Sequence, residues 1–150
     1  MTSLKTQIEQ EIKTAMLAQD KDSLRALRAI KSLILLEETK EGSSGVLSTD
    51  DEIRLLTKAA KQRRESAEIF KQQNREDLAK VELDELVVIE KYLPKQLSEA
   101  EVRAKLQEII AQVGATKPAD MGKVMGVATK ALAGQADGKI ISTLVKELLQ

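Results

Sequence analysis

The chain has no cysteine, no histidine and no tryptophan, and its 150 residues include one phenylalanine (Phe70), one tyrosine (Tyr92) and two prolines (Pro94, Pro118). Without cysteine, disulfides and thiol catalysis are both excluded. Without histidine, the commonest general base and the commonest transition-metal ligand are missing. With so few aromatics, base-stacking readers of single-stranded nucleic acid, such as RRM and OB domains, are excluded as well. No apolar run approaches the roughly 18 residues of a membrane span. Lys+Arg and Asp+Glu stand at 24 each, so no bulk charge draws the chain onto nucleic acid or membrane. The opening "MTSLKTQIEQEIK" is charged and lacks the apolar core of a signal peptide. The sequence reads as cytoplasmic, with no membrane partner, no cofactor and no metal.

What is present is leucine, isoleucine, valine, methionine and alanine at helical spacing almost throughout. Leu4, Ile8, Ile12, Ala15 and Met16 form a first apolar stripe. Asp20 or Asp22 can cap a second helix, with Leu24, Leu27, Ile30 and Ile34 on its inner side. "KEGSSGVLS" breaks the pattern and is expected to be a loop. "TDDE" then offers a capping box from Thr49 to Glu52. The third helix carries Ile53, Leu56, Ala60, Ala67 and Phe70 and should stop near Asn74, a residue that tolerates left-handed backbone. A fourth helix is expected from about Asp77 to Tyr92, ending before Pro94.

"LPKQLSEAE" marks the clearest boundary, with Pro94 closing one helix and Ser98 and Glu101 forming a capping box for the next. Three short helical patterns follow, separated by Gly114 and Gly134. Val102, Leu106, Ile109 and Val113 line the first, and Met121, Val124, Met125, Ala128 and Leu132 the second, which has Pro118 near its start. Ile140, Ile141, Leu144, Val145 and Leu148 line the third, where Asp137 is the expected cap. The expected fold is all-α: an N-terminal antiparallel helical unit over residues 1–93, then a C-terminal three-helix bundle over 94–150. Neither a strand pattern nor an internal repeat is visible.

Two features compete as nucleic-acid contacts. Residues 54–75 hold seven basic and two acidic side chains, and 76–90 hold six acidic and one basic. If Asn74 is a hairpin corner, these helices face each other and their charges pair; RNA contact by Lys61, Arg63 or Arg64 is the alternative. Arg25, Arg28 and Lys31 read as a solvated flank of the second helix. The second feature is "DMGKVMGVATKALAGQADGKIIS", which places Gly122 and Gly126 inside a helix at a cost of roughly 1 kcal/mol each relative to alanine. At 100° per residue the apolar stripe falls on one side, with Met121 and Met125 as core filler. Gly122, Gly126, Ala119, Ala133, Lys123 and Lys130 fall on the other. Bare backbone beside two lysines allows close approach by another backbone, either a nucleic acid or a neighbouring helix.

No constellation supports catalysis. "GQADGK" lacks Walker spacing, since Ile140 stands where a Ser or Thr is needed. No nucleophile and base pair is visible, and the carboxylates lie on charged helix faces. No catalytic residue is therefore assigned.

Together, "KQRRESAEIF", "EKYLPKQLSEAEV" and "ADMGKVMGVATKALAGQADGKIISTLVKELL" resemble the GatB/YqeY family in its free-standing YqeY-like form. The C-terminal segment is similar to the tail of the B subunit of glutamine-dependent tRNA amidotransferases, where the tail helps hold the tRNA. The resemblance implies that Asp120 to Met125 match the shared tail motif, and that Gly134, Ala136, Asp137, Gly138 and Lys139 match its second part. Lys117 and Pro118 replace the serine-containing helix start of the family, and Asn74 stands where a glycine is usual. The resemblance carries an association with carbon–nitrogen ligases that use glutamine as amido donor. However, the cradle and amidase segments that do that chemistry are not in this chain. It implies a tRNA-binding accessory protein, not catalytic alone, with tRNA contacted through Gly122, Lys123, Gly126, Lys130 and Lys139. A helical protein-interaction module with a protein partner and no RNA is the other reading, for which the neutral net charge argues.

Overall fold

A computed structural model describes residues 2–150. Seven α-helices account for most of the described chain: α1 (Leu4–Leu17), α2 (Lys21–Thr39), α3 (Thr49–Gln72), α4 (Glu76–Glu90), α5 (Glu99–Val113), α6 (Met121–Ala131) and α7 (Gly138–Leu148). A single 3-10 turn, Pro118–Asp120, precedes α6, and no strand occurs among the described residues. The chain is therefore all-α. It divides into two compact units between Pro94 and Lys95.

The N-terminal unit is built from helical hairpins. Lys5 reaches Glu38 at 3.0 Å and Lys31 reaches Glu9 at 3.4 Å, so α1 and α2 run antiparallel. Asp20 caps α2, accepting from the Ser23 N–H at 3.1 Å. The α3–α4 hairpin turns at Asn74, whose φ of 58° is the left-handed conformation that asparagine tolerates. Arg63 stands eleven residues before this corner and Glu85 eleven after, and they meet at 2.7 Å. Leu4, Ile8, Leu27, Ile30, Ile34, Leu56 and Ile89 fill one apolar core, and Ala67 and Ala79 are buried farther along the α3–α4 hairpin.

Three details differ from the sequence expectation; one is Ile140, expected to line the inner side of α7 but 47% exposed in its first turn. The capping box of α3 is Ser48 with Asp51, one residue earlier than Thr49 with Glu52. The Ser48 hydroxyl accepts from the Asp51 N–H, and the Asp51 carboxylate accepts from the Ser48 N–H, each at 3.1 Å. Glu52 is engaged elsewhere, accepting from the Leu4 N–H at 3.3 Å and tying the start of α3 to the start of α1. Met16, expected on the inner stripe, is 54% exposed. It lies in the last turn of α1, where the chain turns through Gln19 at φ 55° and the apolar stripe loses its cover.

The C-terminal unit is a three-helix bundle in which α5, α6 and α7 each pack on the other two. Ser98 and Glu101 form the capping box of α5, and Gly114 ends it with φ 70°, a conformation that a β-carbon disfavours. Val102, Leu106, Val124, Ala128, Leu132, Leu144 and Val145 form a core separate from that of the first unit. Both cores consist of aliphatic side chains at helical spacing, the building material the composition offers.

Candidate nucleic-acid interface

The approach to α6 is set by a carboxylate. Asp120 accepts from the N–H groups of Thr116 and Lys117 at 3.0 and 3.3 Å. Those donors, Thr116 first, hold its carboxyl below the usual range. The chain then enters α6 at Met121.

Within α6, Val124 and Ala128 are fully buried, while Met121 and Met125 pack as half-buried filler against the same core. Gly122, Lys123, Gly126 and Lys130 are exposed on the other side, as are Ala119 and Ala133 just beyond its ends. A β-carbon added at Gly122 or Gly126 would meet no heavy atom within 4 Å. The two glycines therefore serve no packing inside the bundle, and their helical cost is not offset there. They leave a strip where only main chain faces outward.

No ion pair neutralises this strip, although the Asp120 carboxylate at the entry to α6 lies close enough to interact with Lys123. The ion pairs of this unit among the described residues belong to Arg103, with Glu147 at 2.8 Å and Glu99 at 3.7 Å; Lys123, Lys130 and Lys139 form none. Lys130 sits in the last turn of α6, where a cation suits the helix dipole. Lys123 sits in the first turn, beside the positive end of the dipole and with no acidic residue in that turn. Asp137 caps α7 by accepting from the Lys139 N–H at 2.9 Å, leaving the Lys139 ammonium exposed. Gly138 before it repeats the theme, since a β-carbon there also meets nothing within 4 Å. Thus the first turns of α6 and α7 each hold an exposed glycine followed by an unpaired lysine.

Lys146 was not marked by sequence reasoning. It follows Lys139 by seven residues, two helical turns, and is exposed on the same face of α7. The signal was present as an i, i+7 lysine pair.

The second basic strip has a different environment. Arg63 donates to Glu85 at 2.7 Å and lies 3.7 Å from Glu82, and Arg64 pairs with Glu90 at 3.1 Å. The opposite charges of α3 and α4 thus face each other in these pairs, while Lys58, Lys61 and Lys71 of that basic run are exposed without an ion pair among the described residues. On α2, Arg25 pairs with Asp22 and Glu85, and Lys31 with Glu9, leaving Arg28 to solvent. Among the described residues no three carboxylates are grouped to hold a metal ion. No helix among them is long and apolar enough to cross a membrane.

The family model described as "Yqey-like protein" matches residues 5–149. Two curated relatives carry the name "Altered inheritance of mitochondria protein 41, mitochondrial". The protein from Clavispora lusitaniae is 32% identical over 116 residues, covering 75% of this chain and 66% of its own length. That from Meyerozyma guilliermondii is 32% identical over 126 residues, covering 80% of this chain and 64% of its own. The match therefore spans just under two thirds of each relative.

Proposed function

Since the chain belongs to the YqeY-like protein family, we propose that it is a tRNA-binding accessory protein, related to the tail of glutamine-dependent tRNA amidotransferases, that docks RNA on the bare side of α6. The observation that carries this reading is the open space over Gly122 and Gly126, flanked by the unpaired Lys123 and Lys130. A phosphate backbone needs close approach and positive charge, and the strip offers both. With one tyrosine and one phenylalanine in the chain, recognition works through shape and phosphate rather than base stacking. Lys139 extends the basic contact onto α7. The cytoplasmic location expected from composition is part of the proposal; the word "mitochondrial" belongs to the names of the two relatives.

The test is tRNA binding by the full chain across a salt series. Replacing Lys123 and Lys130 by Glu should weaken binding and flatten the slope of log affinity against log salt. The loss per phosphate contact should be roughly 0.7–0.9 units. Binding that keeps its slope in the double variant would place the RNA elsewhere on the chain. No measurable binding by the parent protein would favour the protein-interaction module.

A further inference from the structure

The N-terminal unit carries a second surface that owes nothing to the RNA reading. Helix α2 packs far more extensively on α1 and α4 than on α3. Where α2 and α3 diverge, a groove of ≈ 410 Å³ opens between them. Leu33 and Leu36 of α2 line one wall, and Leu55 and Ala59 of α3 line the other. Leu36 is 67% exposed at the groove, and Leu35, 39% exposed, adjoins it on α2 outside the lining. Isolated exposed leucines are ordinary; one at a groove with leucines on both walls and a charged rim is a place for an apolar anchor.

The rim decides what fits. Its carboxylates are already engaged: Glu37 by Lys40, and Asp51 by its cap bonds to Ser48. Lys58 is exposed and forms no ion pair, and Arg54, 80% exposed at its side chain, has only Asp51 at 3.7 Å. The charge left open on the α3 rim is positive. Along α3 the lining runs from Asp51 to Gln62, about 16 Å at ~1.5 Å per residue, or roughly three helical turns.

We propose that the α2–α3 groove receives an amphipathic helix of a partner protein, about three turns long, with its apolar stripe on Leu33, Leu36 and Leu55 and an acidic flank against Arg54 and Lys58. Anchors at i, i+3/i+4 and i+7 on the incoming helix would follow the groove. The acidic flank supplies the counter-charge that Lys58 lacks, adds to the distant one that Asp51 gives Arg54, and discriminates against basic helices, which Arg54 and Lys58 repel.

The experiment uses the full chain and two labelled helical peptides of about 14 residues with the same leucine stripe, one flanked by glutamates and one by lysines. Fluorescence anisotropy should show saturable binding of the glutamate peptide only, and methyl NMR shifts should move at Leu33 and Leu55. Leu36→Glu, at an exposed position that does not build the core, should weaken binding by about tenfold or more. Arg54→Glu combined with Lys58→Glu should shift preference to the lysine peptide. Three results would overturn the proposal: no saturable binding of the glutamate peptide, binding indifferent to Leu36→Glu, or a dimer in sedimentation equilibrium that Leu36→Glu dissociates. The last would assign the groove to a second copy of this chain.

Discussion

Tyr92 is the single tyrosine of a chain without tryptophan, so its phenolate absorbance can be followed with no overlapping signal. Burial, and then the charge of Glu11, push its ionisation up to about 12 from the ordinary value of 10.0. A folded-state pKa raised above the unfolded one means that its contribution to stability is complete below pH 10 and is lost as pH rises toward 12. A spectrophotometric titration should therefore show little tyrosinate at pH 10.5 while the protein is folded, and most of the full signal at that pH in denaturant. An ordinary midpoint in the folded chain would contradict this. The carboxyls of Asp20, Asp51 and Asp120 lie below the usual range, held chiefly by Ser23, Ser48 and Thr116 respectively. What they contribute is present above pH 3.8 and lost as pH falls below it. With no histidine, no side chain of ordinary pKa titrates between about pH 5 and 8, so thermal stability should be flat across that range. Gly126 tests the bare strip. Gly126→Leu meets open space and removes an exposed helical glycine, so the variant should melt higher, by about 0.5–1 kcal/mol of added stability. Its tRNA affinity should fall because the new side chain blocks approach. A variant that melts lower would mean that the strip is covered by protein.

At the scale of the elements, pairing between helices depends on a few ions. Glu85 is 9% exposed, the sole buried charged residue among those described, and it takes Arg25 of α2 at 3.2 Å and Arg63 of α3 at 2.7 Å. Glu85→Ala should destabilise the N-terminal unit by about 1–3 kcal/mol, because Arg63 is left part-buried with only Glu82, at 3.7 Å. Glu90→Ala, which frees the more exposed Arg64, should cost no more than about 1 kcal/mol. Chemical denaturation separates the two, and equal losses would mean that Glu85 is not the clamp. The α3–α4 pairing was readable from sequence because charge blocks flank Asn74 symmetrically. The capping register of α3 was not, because Ser48 and Thr49 are chemically equivalent caps. The bond from Leu4 to Glu52 engages the carboxylate that the later register would use. The bare side of α6 followed from 100° per residue, since one helix suffices to define it. The α2–α3 groove has no such trace: it depends on how far two helices diverge, which neither helix encodes by itself. Met16 is the same lesson in reverse, an apolar residue with the correct period that no neighbour covers.

For the whole molecule, the expected weak points are connections with few apolar anchors. The segment from Lys40 to Leu47 is exposed apart from partial burial at Ser43 and Leu47, and the unit boundary follows Pro94. Limited trypsin digestion should cut first after Lys40, then after Lys95, both exposed, and leave fragments that resist further cleavage. A junction at Lys95 that stays protected while Lys40 is cut would mean that the boundary is sealed. Net charge is zero, so solubility in low salt should pass through a minimum near the sequence pI of 6.4. The hairpins have one further consequence, and it is kinetic. In both units much of the packing is between helices adjacent in the chain, α1 on α2, α3 on α4, α5 on α6 and α6 on α7. Loop closure for such contacts is short, and low contact order speeds folding. Among the described residues, the members of the α1–α4 core all lie at or before Leu93. During synthesis from the N-terminus, therefore, every residue of that core is already available while the α5–α7 bundle is still unmade: order along the chain can serve as order in time.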